Sequence, residues 1–280
     1  MPIGVHTSIK DGLAGAIEEA LKLGCECVQF FSHNPRSWRI RKPVKEEVER
    51  FKYRKAQAAL EPVMIHSSYL INIASPDDNM YEKSIGLLCR EIEIAQRLDV
   101  HYLILHPGSS GRMEKKKGIS RAIEAIKEAR KRAGGDVKIL IENTAGSGTQ
   151  LGRTLEDIAC ILDGTYNHNT GFCFDTAHGF SAGYSIRNAG EVADLAELMD
   201  KTGLAGRLEV VHLNDSKVDC GSLVDRHEHI GKGRIGSEGL RAFVNFPLFR
   251  AKPFILETPK KRGIRDDVMN LNRVKEMIKR

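Results

Sequence analysis

Residues 101–144, HYLILHPGSSGRMEKKKGISRAIEAIKEARKRAGGDVKILIENT, hold the unit on which the fold turns. The runs YLILHP and KILIENT are nearly continuous in apolar residues, as strands buried on both faces are, and a helical pattern over Ile119–Arg132 separates them. Each run closes on a side chain with chemistry to offer, His106 in the first and Glu142 in the second. The basic EKKK at 114–117 reads as the solvated opening of a helix rather than as a nucleic-acid patch.

The same alternation extends in both directions. Strands are predicted at Pro2–His6, Cys27–Phe31, Pro62–His66, His101–Pro107, Val137–Thr144, Gly171–Thr176, Leu208–Asn214 and Phe254–Thr258. Helices are predicted at Leu13–Leu23, Lys45–Leu60, Tyr81–Leu98, Ile119–Arg132, Leu155–Leu162, Ala189–Thr202, Gly239–Val244 and Asp266–Lys279. Eight strand–helix units in 280 residues, with no linker or composition break, predict one α/β domain over residues 1–280, a (β/α)8 TIM barrel.

Composition narrows the function. Hydrophobic residues at 41% and charged residues at 29% exclude a disordered chain. No apolar run approaches the roughly 18 residues of a membrane-spanning helix, so no membrane partner is expected. The start MPIGVHTSIK lacks the basic and apolar regions of a secretory leader. Cys25, Cys27, Cys89, Cys160, Cys173 and Cys220 form no C-x-x-C pair, and free thiols in a cytoplasmic protein are expected. The net charge of +6 suits a polyanionic partner without identifying one.

Barrel enzymes carry their chemistry at the C-terminal ends of the strands. Here those ends offer His66, His106, Glu142, Asp175 with His178, His212 with Asp215, and Glu257, while Asp225 and His227 follow in a loop. One histidine on an apolar strand is ordinarily a core residue. A whole mouth of histidines and carboxylates would repel or stand unpaired unless cations compensate them. Such ligands without cysteine suit zinc, manganese or iron, and two or three ions sharing a carboxylate would use all of them. Close metal pairs activate water and hold the oxygens of a phosphoryl centre. In the D-x-H pair Asp225 and His227, residues two apart on an extended segment point the same way.

The successive segments IHSSYLINIASP, LHPGS, LIENTAGSG, FDTAHGFSAGY, HLNDSK, VDRHEHIGKGRIG and ILETP resemble, in order, the motifs of the endonuclease IV family of apurinic/apyrimidinic endonucleases. The resemblance implies a barrel with three Zn2+ ions that cuts double-stranded DNA on the 5′ side of abasic sites. It assigns His66, His106 and Glu142 to one zinc. A second would share Glu142, the central catalytic residue, and add Asp175, His212 and Glu257. The third falls to His178, Asp225 and His227. It also implies a monomer, and makes Arg36, Tyr69 and Leu70 a DNA-binding wedge. Ser67, where some members carry Asp, and GSGTQLG at 146–152 depart from the family pattern.

Other signals carry less. GKGRIG at 231–236 matches G-x-G-x-x-G but follows no strand; it reads as a loop beside the mouth whose backbone N–H groups touch phosphates. His6 ends the first strand and faces the mouth, His101 starts a strand at the stability face, and the roles of His6 and His229 stay open. Two rival readings remain: a sugar isomerase or epimerase with one or two divalent ions, and a non-catalytic nucleic-acid-binding barrel. The Asp225–His227 loop argues against the first and the complete set of mouth ligands against the second.

Overall fold

The computed structural model describes residues 1–279. Eight strands form the barrel: β1 (Ile3–His6), β2 (Cys27–Phe31), β3 (Val63–His66), β4 (Tyr102–Leu105), β5 (Lys138–Glu142), β6 (Thr170–Asp175), β7 (Leu208–His212) and β10 (Phe254–Leu256). Each pairs in parallel with the next, and β10 pairs with β1 to close the ring. Around them lie α1 (Leu13–Lys22), α2 (Lys45–Ala58), α3 (Asp78–Leu98), α4 (Lys115–Ala133), α5 (Leu155–Gly164), α6 (Thr176–Ala182), α7 (Ala189–Lys201), α8 (Gly236–Asn245), α9 (Pro247–Arg250) and α10 (Ile264–Met277). A two-stranded antiparallel ribbon, β8 (Asp215–Ser216) with β9 (His227–Glu228), sits outside the ring after β7.

The predicted strands all form, most of them shorter at the ends. The fourth stops at Leu105, because Pro107 has no N–H for the ladder and holds His106 away from helical geometry. The sixth stops at Asp175, whose carboxylate accepts the N–H of His178 at 2.7 Å and so starts α6, a helix the sequence reading omits. Likewise α3 begins at Asp78, before the expected Tyr81, since the Asp77 carboxylate accepts the Met80 N–H. The EKKK lysines lie in the first turn of α4, as a solvated helix opening.

Strand alternation explains why the mouth holds what it does. Cys27, Met64, Ile104, Leu140, Cys173, Val210 and Ile255 point inward and form one fully buried apolar layer inside the ring. Two residues further along each strand, on the same face, stand Gln29, His66, His106, Glu142, Asp175, His212 and Glu257. On β1 the inner position is Gly4, where a Cβ would lie 1.8 Å from the Cys27 carbonyl oxygen, and two residues on comes His6. The apolar layer is therefore the floor under a polar mouth. Outside the ring a larger apolar core joins strands to helices, with Phe30, Phe172, Phe174 and Phe254 among its fully buried members. Burying a side chain of that class stabilises the fold by about 1.5–3 kcal/mol.

Candidate metal centre

Three groups of side chains in the mouth each bring ligand atoms within 4.8 Å of one another: His66, His106 and Glu142; Glu142, Asp175, His212 and Glu257; and Asp175, His178 and His227. Glu142 and Asp175 are each shared by two groups. Glu142 is fully buried, and one of its oxygens lies 3.1 Å from both His66 Nε2 and His106 Nε2. Its other oxygen lies 3.0 Å from His212 Nδ1. Asp225 approaches the third group from the exposed side, 3.3 Å from His178 Nε2 and 3.5 Å from His227 Nε2. The nine residues expected as ligands thus meet in one place, with Asp175 standing beside Asp225 in the third group.

The hydrogen bonds on the far side of each imidazole decide which nitrogen faces inward. A carbonyl or amide oxygen only accepts, so its histidine partner must carry the proton on the nitrogen that touches it. His66 Nδ1–H donates to the Ser67 carbonyl at 2.8 Å, His178 Nδ1–H to the Asn143 carbonyl at 3.0 Å, and His227 Nδ1–H to the Glu257 carbonyl at 3.0 Å. His212 is turned the other way, with Nε2–H donating to Gln29 Oε1 at 2.8 Å. Neutral, these rings present lone pairs to carboxylate oxygens. Acceptors that face acceptors in a buried site repel unless positive charge lies between them, so the donor set fits divalent cations. His227 Nε2 is buried without any hydrogen-bond partner, as a ligand nitrogen held for an ion would be.

Where no cation lies between the carboxylates, protons on the histidines take up the role of the positive charge. Burial alone would raise the Glu142 pKa, yet His212 and His106 hold it well below the carboxylate range. Burial would lower that of His178, but Asp175, Asp225 and Glu142 lift it well above the histidine range. Asp225, whose partial loss of hydration would raise it, is brought down to about 2 by His178 and His227. Each group favours its charged form because of the opposite charge beside it.

Gln29 is the residue that sequence reasoning missed. Besides holding His212, its Nε2 donates to Glu257 Oε1 at 2.6 Å and stands 2.9 Å from His6 Nδ1. A fully buried amide in the apolar run CVQFF was the available signal. Asn214 and Asn143 fix Asp175 in the same way, through Asn214 Nδ2 to its Oδ2 and Asn143 Oδ1 to its N–H, both at 2.7 Å. His6 lies beside Glu257, outside the three groups. His229 accepts from Asn270 Nδ2 at 3.0 Å and is structural, as is His101, which accepts the Val63 N–H at the foot of the barrel. The Ser67 departure touches the centre through its main-chain carbonyl, which any residue supplies.

Most backbone N–H groups of the glycine-rich loop are taken by the protein itself. The N–H groups of Gly233, Ile235 and Gly236 donate to the buried Asp215 carboxylate, and those of Lys232 and Arg234 to the carbonyls of His229 and Ser216. A Cβ at Gly233 would lie 2.2 Å from the Ser216 carbonyl oxygen, so the glycines serve close packing round that carboxylate.

The mouth opens into a cleft of about 840 Å3 lined by Tyr69, Arg226 and Lys260 and by His66, His106, His178, Asp225, His227 and Glu257 of the expected ligands. At its rim Tyr69 is 65% exposed, its ring edge-on to Phe31 at 5.1 Å. Leu70 is half-buried against the core and Arg36 is exposed. Of the basic loop SHNPRSWRIRK, Arg41 pairs with Glu47 and Lys42 with Glu93, while Trp38 is partly buried against the core.

A family model described as a xylose isomerase-like TIM barrel matches residues 17–277. The probable endonuclease 4 of Natronomonas pharaonis is 41% identical over 275 residues, 98% of either chain. The crystal structure of endonuclease IV from Thermus thermophilus superposes with a TM-score of 0.89 at 37% identity, covering 99% of this chain and 98% of that one. A D-tagatose 3-epimerase-like protein shares the fold at a TM-score of 0.71 and 19% identity, over 99% of this chain and 97% of its own. With these matches and this mouth, the chain belongs to the endonuclease IV family, built on the xylose isomerase-like TIM barrel.

Proposed function

We propose that the protein is an apurinic/apyrimidinic endonuclease of base excision repair. It hydrolyses the phosphodiester 5′ to an abasic site in duplex DNA and leaves a 3′-hydroxyl and a 5′-deoxyribose phosphate. It acts as a cytoplasmic monomer with three zinc ions, held by His66, His106 and Glu142, by Glu142, Asp175, His212 and Glu257, and by His178, Asp225 and His227. The observation that carries this reading is the set of imidazole lone pairs aimed at buried carboxylates, with their other nitrogens tied back by hydrogen bonds. When bound, zinc supplies Lewis acidity to water and to the phosphodiester.

The chain's own residues do the rest. Glu142 spans two groups and keeps their spacing. Arg226 and Lys260 bring positive charge to the lip where a phosphate arrives. The cleft volume is in the range of small-molecule sites, roughly 300–1,000 Å3, which suits a nucleotide turned out of the duplex. An abasic nucleotide has no base pair to break, so turning it out costs less than for an intact one. Arg36, Tyr69 and Leu70 fill the gap left behind.

Asp225→Ala with His227→Ala tests the third ion. Elemental analysis should show a loss of about one zinc equivalent, with a large fall in single-turnover incision of an abasic duplex. A double variant with its full zinc content would refute the three-ion assignment. Purified protein that holds one or two manganese or magnesium ions instead of three zincs would favour a sugar isomerase or epimerase.

A further inference from the structure

The two loops assigned to the DNA wedge are tied to each other and to one buried acid outside the metal centre. Ser68 Oγ donates to the Pro35 carbonyl at 2.7 Å and accepts the Leu70 N–H at 3.2 Å, so it joins the β2 loop to the β3 loop. The Ser68 N–H donates to Glu91 Oε1 at 3.0 Å. Glu91 comes from the middle of α3, is fully buried, and its second oxygen has no partner. His33 Nδ1 stands 3.5 Å from Glu91 Oε1, and its Nε2–H donates to the Ser37 carbonyl at 3.2 Å, past Arg36 on the same loop. One acid thus reaches both loops immediately beside Arg36, Tyr69 and Leu70.

An acid in this position is costly to keep for packing alone, because a buried carboxyl with one backbone hydrogen bond has lost most of its hydration. Burial pushes its pKa up to about 8 and holds that of His33 low, so at neutral pH the pair is chiefly an uncharged acid beside an uncharged imidazole. With Nε2–H committed to Ser37, His33 Nδ1 is an acceptor. The arrangement orders two loops without placing a charge under them.

We propose that Glu91 is a positioning residue that locks the Pro35–Ser37 and Ser68–Leu70 segments into one preformed edge, so that Arg36 and Tyr69 meet DNA already in place. The idea rests on the reading of this rim as the DNA wedge. A rim ordered in advance binds more tightly because less ordering remains to be done on association. The same acid is expected to leave the hydrolytic step alone, since it touches none of the mouth ligands.

Glu91→Leu and Glu91→Gln separate positioning from packing. Leucine fills the space but leaves the buried Ser68 N–H without its acceptor, so the melting temperature should fall modestly with the fold kept. It should also speed amide hydrogen exchange in residues 33–37 and 67–70 together by about tenfold in the DNA-free protein. It should raise the half-saturating concentration for an abasic duplex by about tenfold while zinc content and the limiting single-turnover rate stay within about twofold. Glutamine is uncharged, matches the acid in size and keeps an acceptor for the Ser68 N–H, and should restore wild-type behaviour. Loops that stay protected in Glu91→Leu, or a Glu91→Gln as impaired as Glu91→Leu, would overturn the proposal. If Glu91→Leu does not fold, Ser68→Ala decides, because it cuts the link to Pro35 together with the bond to the Leu70 N–H and should loosen residues 35–37 and Leu70; unchanged exchange there would overturn it equally. Loosened loops in a protein whose wild type neither binds nor cuts abasic duplex would remove the DNA reading and leave the coupling standing.

Discussion

The floor of the mouth and its rim are built by different means. The floor side chains His66, Glu142, Asp175 and His212 sit on or at the ends of barrel strands, each two residues beyond an inward-facing apolar residue. The rim side chains Arg36, Tyr69 and Leu70 sit on loops fixed by contacts far apart in sequence, such as Ser68 Oγ to the Pro35 carbonyl. A strand places its side chains by alternation alone, and a closed ring of strands turns alternation into convergence. A loop has no such rule and needs its own hydrogen bonds to hold a side chain in place. Damage to the floor should therefore abolish chemistry, and damage to the rim should weaken binding.

The sharpest way to break that division is Glu142→Gln. The amide keeps the volume of the acid but removes a buried negative charge that faces four histidines, with His66, His106, His212 and His178 all within 3.3 Å of its oxygens. Incision should fall by roughly three orders of magnitude or more, because ligand charge and spacing fail together. Circular dichroism should stay unchanged, since the floor layer of Leu140 and its neighbours is untouched. Single-turnover activity within tenfold of wild type would remove Glu142 from the centre of the site.

A smaller effect should come from Gln29→Leu, which leaves every expected ligand in place. His212 Nε2–H then loses its acceptor and Glu257 Oε1 a donor, so neither ligand is held in orientation. Losses of hydrogen bonds behind a ligand typically cost about 10–100-fold in metal affinity. Competition with a chromogenic chelator measures it. Unchanged zinc affinity would show that β2 contributes packing to the floor and nothing more.

The same division explains what was legible in the sequence. His66, His106, Glu142, Asp175, His212 and Glu257 were readable because a strand ending in a polar residue is a local pattern and the barrel supplies the rest. Gln29 followed the same alternation and was passed over because an amide is not a metal ligand. Helix α6 was hidden because its start depends on one side chain, Asp175, that also serves the mouth. Trp38 stands among cations in the sequence, and its packing against the core is a tertiary contact. The glycine loop looked like an anion cradle, and its N–H groups do hold an anion, the protein's own Asp215. The misreading of the glycine loop falls where a long-range partner decides the outcome, whereas α6 turns on a contact only three residues long.

The mildest test applies to the rim itself. Arg36 is exposed and, among the described residues, makes no ion pair, while Tyr69 rests on Phe31 with most of its surface open. Neither buries much on folding, so Arg36→Ala with Tyr69→Ala should leave melting temperature and zinc content as they were. If both side chains enter the gap left by a turned-out nucleotide, the double variant should bind abasic duplex about tenfold more weakly, in line with losses of about 1–3 kcal/mol for stacking contacts and part of that for a solvated cation. The lost arginine should also lower the salt dependence of binding by about one phosphate contact. A fluorescent base analogue opposite the lesion should report less distortion than with wild type. The limiting rate at saturating protein should change far less than the affinity, because the floor is intact. Should the double variant instead keep its affinity and its fluorescence response, Tyr69 and Arg36 would be solvated surface. The division would then need redrawing, with substrate held by the mouth alone through cations such as Arg226 and Lys260.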